Sequence, residues 1–240
     1  MNAWIFLGAV PLATLSGFVR GVTGFGGAMV FTAPMALLVE PKIAVMIALV
    51  LEAFAALNML PEALKKCSSR VIAPLCLAAC LTIPFGTYLL TELDSGVLKR
   101  FIAGTVLVLA IFMLRGFRYT GRQRITTSAI LGGVSGLLVS ATSVGAPPVI
   151  LYLLSGPDSV ATTRANLTLY IIAISMIALM VLLLRGAFNP ASGLIAILLA
   201  PCYFSGVWFG SRVFPRVDDK SFRRFVLWFL IVLSTILLMT

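Results

Sequence analysis

Among the ionisable residues that interrupt or border the apolar runs of this 240-residue chain, three could do chemistry: Arg20, Glu52 and Arg164. A charge at membrane depth costs about 3 kcal/mol or more, so each must be paired, hydrated or put to use. Arg20 immediately precedes a glycine-rich turn, and its guanidinium suits bidentate contact with an oxyanion; the competing role is an Arg that snorkels or binds carbonyls and so holds the turn. Glu52 is the eleventh residue of the apolar run Lys42 to Leu60. It is read either as a proton carrier coupled to anion movement or as the fixed partner of Arg20. Arg164 and Asn166 open the run Ala165 to Leu184, as anion contacts or as helix-end anchors. Thr23, Thr142 and Ser143 lie on turns, where hydroxyls either meet substrate oxygens or satisfy the carbonyls of a broken helix.

Two stretches must position these groups: Gly17 to Pro34, GFVRGVTGFGGAMVFTAP, and Gly136 to Ser155, GLLVSATSVGAPPVILYLLS. Each breaks a long apolar run with small residues and then restarts it as a helix. Gly24, Gly26 and Gly27 permit positive φ and close backbone approach at the first break. Gly145 marks the second, where Pro147 and Pro148 suit a first helical turn. The restarted helices present free N–H groups and the positive ends of their dipoles. Two such ends facing each other near the midplane form an anion site.

The solvent is set by composition. Hydrophobic residues make up 60% of the chain and charged residues 11%, with a mean hydropathy of +1.10. Soluble domains carry about 25% charged residues, so this is a polytopic, all-α membrane protein. Its length allows roughly eight to ten helical spans and no separate soluble domain. The formal charge of +10 sits mainly in joints between runs, which argues for orientation in a bilayer and against nucleic-acid binding. There is no histidine, and Cys67, Cys76, Cys80 and Cys202 show no CxxC spacing. Neither a metal site nor a cofactor is expected, and without a nucleophile–base pair or metal ligands the chain is not read as an enzyme. The opening MNAWIFLGAV lacks a basic n-region and is taken as a first membrane helix rather than a signal peptide.

The apolar runs recur in the same order on both sides of the basic joint Arg115 to Arg124. An offset of 119 carries Ser16-Gly17 onto Ser135-Gly136, Thr23 onto Thr142, Gly26 onto Gly145 and Val30 onto Val149. An offset of 124 carries Gly86 onto Gly210, Asp94 onto Asp218 and Lys99-Arg100-Phe101 onto Arg223-Arg224-Phe225. The chain therefore divides into a first repeat, 1–116, a basic cytoplasmic linker, 117–124, and a second repeat, 125–240. Joints 61–70, 115–124 and 212–224 carry net charges of +2, +4 and +3, against 0 for 92–100 and +1 for 185–192. Placing the three basic joints inside requires an odd number of crossings per half, hence inverted repeats. Five plus five spans, or three plus three with re-entrant hairpins, both satisfy that count.

The duplicated break, GVTGFGGAMVFTAP and SATSVGAPPVILYLL, followed by PKIAVMIALVLEA and TTRANLTLY, resembles the TauE/SafE sulfite-exporter family over nearly the whole chain. Ala146-Pro147-Pro148 departs from the glycine cluster of the first motif. The resemblance implies a multi-pass permease of the bacterial cytoplasmic membrane that moves sulfur-containing oxyanions such as sulfite or organosulfonates, and it supports an Arg at position 164. The mechanism expected is alternating access around a midplane anion, coupled to protons through Glu52. A non-transporting scaffold or accessory subunit is the competing reading. The expected partners are a small anion, the bilayer and, through a surface at Tyr203 to Gly210, a second copy of the chain.

Overall fold

Runs of Leu, Ile, Val, Ala and Phe without regular polar alternation form helices that are apolar nearly all round, as burial in a bilayer demands. The computed structural model describes residues 3–23, 26–57, 60–116, 124–156, 160–213 and 219–239. Side chains at a few positions inside these ranges, Arg164 among them, lie outside that description.

The described residues form eleven helices with no strand among them. They are α1 (Ala3–Thr23), α2 (Gly27–Leu38), α3 (Pro41–Leu57), α4 (Leu60–Lys66), α5 (Ser69–Glu92), α6 (Ser95–Leu114), α7 (Ile125–Thr142), α8 (Ala146–Leu153), α9 (Val160–Leu184), α10 (Pro190–Val213) and α11 (Asp219–Met239). Six of them are long and apolar enough to cross a membrane, and the chain is a multi-pass membrane protein. By contrast α2, with 12 residues, and α8, with 8, rise only about 18 and 12 Å, short of a core of about 30 Å.

The elements differ from the sequence expectation in three places. Helix α1 runs on to Thr23, because Arg20 and Gly21 continue the helix instead of ending it. Helix α9 begins at Val160, ahead of the apolar run, and the polar joint 61–70 carries the seven-residue α4. In both cases polar sequence is folded because it packs: α4 lies against α9.

Helix α1 packs along α10, and α5 along α7; α6 meets α11, and α3 meets α9. Exchanging the halves helix for helix turns the α1–α10 pairing into α7–α5 and leaves α6–α11 and α3–α9 unchanged. The two long pairings are close crossings. A Cβ on Gly17 would overlap the Tyr203 carbonyl of α10, and one on Gly136 would fall 2.6 Å from the Ala79 carbonyl oxygen of α5. Only glycine lets the backbones approach that closely. The expected self-association surface at 203–210 is correspondingly reduced. Tyr203, Gly206 and Gly210 are buried, the two glycines against α1, while Trp208 and Phe209 remain exposed.

Candidate functional site

The first break places Gly26 at φ +83°, in the left-handed region, as the N-cap of α2 with no side-chain cap. Val30 N–H donates to Gly26 O at 3.1 Å, which leaves the amides of Gly27, Ala28 and Met29 without intrahelical partners. The second break uses Ser143 at φ +60° as the C-cap of α7, with Gly145 as the N-cap of α8. Matching serines tie each restarted helix down. Ser16 Oγ donates to Gly27 O and Ser135 Oγ to Gly145 O, both at 2.6 Å. The breaks also touch each other, through the hydroxyls of Thr32 and Ser143 at 2.6 Å.

Between them lies a cavity of about 30 Å³. Its polar lining comes from Arg20, Glu52, Ser143 and Ser175. The apolar and backbone lining comes from both halves, with Gly26 and Met29 opposite Gly145 and Pro147, and Leu49 opposite Ile174. Arg20 Nη1 and Glu52 Oε2 form an ion pair, and both residues are only 7% exposed. The other carboxylate oxygen, Oε1, accepts a hydrogen bond from Tyr203 Oη at 3.0 Å. Gly27 lies beneath this group: a Cβ there would come 2.9 Å from Glu52 Oε1 and 2.5 Å from Tyr203 Oη. Helices α1, α3 and α10 thus bring one cation, one anion and one phenol together at the start of α2. A buried pair of this kind survives only when its remaining donors and acceptors are met, and Tyr203 meets one of them.

Arg20, Glu52, Gly26, Ser143 and Gly145 all line the cavity, and Gly27 adjoins it. Thr23 faces a second, smaller cavity of about 20 Å³ on the other side of Gly26, toward α6 and α11, and its hydroxyl donates to Val19 O at 2.8 Å. Thr142 likewise donates to Leu138 O at 2.7 Å and accepts from Val144 N–H at 3.2 Å, so it holds the turn. Asn166 is buried away from the cavity lining, its carboxamide oxygen accepting from Ser68 N–H at 2.8 Å ahead of α5. Gly24 and the side chain of Arg164 lie outside the described residues.

Tyr203, Ser175 and Thr32 were not among the residues expected at the site. A tyrosine mid-helix in an apolar run needs a partner for its hydroxyl, and that signal was present for Tyr203. A single Ser or Thr in such a helix carries no comparable signal, because it readily bonds its own backbone.

Among known proteins, a family model described as "Sulfite exporter TauE/SafE" matches residues 9–237. No curated protein and no solved structure matches the chain significantly. The match takes in both breaks, the ion pair between them and every long apolar helix, and it makes this chain a membrane transporter belonging to the sulfite exporter TauE/SafE family.

Proposed function

We propose that this chain is a secondary transporter that carries small sulfur-containing oxyanions across a bacterial cytoplasmic membrane by alternating access, with proton coupling through Glu52. One observation carries the reading: Arg20 and both chain breaks line the same cavity. The start of α2, whose first amides have no intrahelical partner, and a guanidinium meet at it, the combination that binds oxyanions elsewhere. The wall opposite is mostly apolar, which keeps the site dry and strengthens that attraction.

A cavity of about 30 Å³ has room for roughly two waters. An inorganic oxyanion such as sulfite is nearer that size than an organosulfonate. Alternating access would have the halves move against each other. The exchange-symmetric helix pairing supports two inverted repeats as the moving bodies. Joints 61–70, 115–124 and 212–224 would face the cytoplasm, given their positive charge.

The test is flux into proteoliposomes holding the native chain, over sulfite, thiosulfate, sulfate, methanesulfonate, taurine and acetate. Sulfite is expected to move fastest, with an imposed pH gradient driving its accumulation. No flux of any of these anions would overturn the reading and leave a non-transporting scaffold in its place.

A further inference from the structure

We propose that Glu52 is the anion's stand-in on Arg20, and that Tyr203 is the positioning residue that holds Glu52 both when it is ionised and when it is protonated. The inference rests on the transport reading and specifies how the proton and the anion share one site. The Glu52 carboxylate pairs with Arg20 directly. That is where an incoming oxyanion would bind, since the same guanidinium lines the cavity.

Two anionic groups cannot share one guanidinium in so small a space, because Coulomb repulsion at a few ångströms in a dry site is prohibitive. Glu52 therefore takes up one proton from bulk solvent, relayed by cavity water, as the anion arrives, and the Arg20–Glu52 pair is replaced by an Arg20–anion pair. The site carries no net charge before or after, so the stoichiometry is one proton per monoanion. Tyr203 donates to the carboxylate in the first state, through the 3.0 Å bond. In the second, its hydroxyl oxygen accepts the proton of the neutral carboxyl, as a phenol can do both. Tyr203 comes from α10 and Glu52 from α3, so this bond also ties the two halves together as the pair opens.

Among the described residues no second carboxylate lines the cavity; α10 brings the Tyr203 phenol itself, with Cys202 and Arg212 outside the lining, and Lys42 at the start of α3 donates to Thr91 O. Helix α2 contains no titrating group. Helix α1 offers Arg20, and the ionisable residues of α6, Lys99 and Arg100, lie at its start, away from the cavity lining. On α9, Tyr170 sits among Ser135, Cys76 and Cys80, on the side of α5 and α7. Arg164, also on α9, has its side chain outside the described residues.

The test is sulfite-binding calorimetry on the purified full chain in two buffers of different ionisation enthalpy, which counts protons taken up per anion. The native chain is expected to take up about one proton more per sulfite than Glu52→Gln, the solute's own titration being common to both. Glu52→Gln is expected to bind sulfite several-fold tighter, its competitor having lost its charge. Tyr203→Phe keeps the ring but removes a donor to the ionised carboxylate. It should move the pH of half-maximal proton uptake upward by about one unit, a readout that packing alone would not shift. A Tyr203→Phe profile superposable on the native one would overturn the inference alone; equal proton counts for native and Glu52→Gln would overturn it together with the coupling through Glu52, while leaving anion transport itself standing. Absence of sulfite binding by the native chain would overturn both. Should Glu52→Gln melt far below the native chain, Glu52→Asp decides: it must still take up the proton and bind sulfite more tightly, and failure in either overturns the inference.

Discussion

The two breaks share a backbone plan and divide the chemistry unequally. Each ends a long helix, restarts a short one and is tied down by a serine to a carbonyl 2.6 Å away; among the described residues the left-handed position is the N-cap Gly26 in the first and the C-cap Ser143 in the second. Around the first break stand Arg20, Glu52 and Tyr203. At the repeat-related positions stand Val139, a residue between Ile171 and Met176, and Ala79. Val139 and Ile171 line the same cavity as Arg20 and Glu52, so the charged group faces its apolar counterpart. On the proposed reading one charged break would suffice for one anion site, the other being free to exclude water. The difference also reaches the backbone. Gly27 has Ala146 as its counterpart, and only Gly27 lies under an ion pair.

The largest effect should come from removing the cation. Arg20→Leu leaves Glu52 buried and unpaired and is expected to cost about 3–5 kcal/mol, read as a steep fall in the melting temperature of the detergent-purified chain, with flux abolished. Pairing it with Glu52→Leu should restore most of the stability, since apolar replacement of a whole buried pair is often neutral, without restoring flux. A double variant no more stable than the single one would show that the pair does more for packing than the comparison assigns to it.

Next comes Gly27→Ala, whose new methyl would press on Glu52 and Tyr203. It is expected to cost about 1–3 kcal/mol and to lower flux, whereas Ala146→Gly at the related position should cost under about 1 kcal/mol. Equal effects at both positions, in thermal melts and flux assays, would erase the asymmetry between the breaks. Smaller again is Ser143→Ala, which removes the hydroxyl contact to Thr32 and leaves alanine at positive φ, for about 1–2 kcal/mol. Ser143→Gly should lose less, because glycine accepts that backbone without strain. Unfolding in denaturant would rank the pair.

The sequence made the charged half of this site legible and left the uncharged half largely silent. Arg20 and Glu52 stood out because a charge in an apolar run is costly and must be explained, and the glycines and prolines marked both breaks for the same kind of reason. Repeat spacing brought Gly145 into view, and Ser143 stood out as a hydroxyl on the turn. Tyr203 was legible in principle, yet it was assigned to an outer surface, since which face of α10 turns inward depends on the close crossing with α1. Ser175 and Thr32 were not legible, because hydroxyls in helices are common and only tertiary packing decides what they face. The helix α4 was hidden within a polar joint, and Asn166 proved to hold the chain ahead of α5 rather than to line the cavity. Both depend on contacts between segments about a hundred residues apart, which local pattern does not encode.

The most direct test is sulfite uptake by the Arg20→Leu/Glu52→Leu chain in proteoliposomes, after a thermal melt has shown it folded as the native chain is. The native chain should accumulate sulfite and the double variant none above empty vesicles. Uptake by the double variant at the native rate would place the anion's path elsewhere in the molecule.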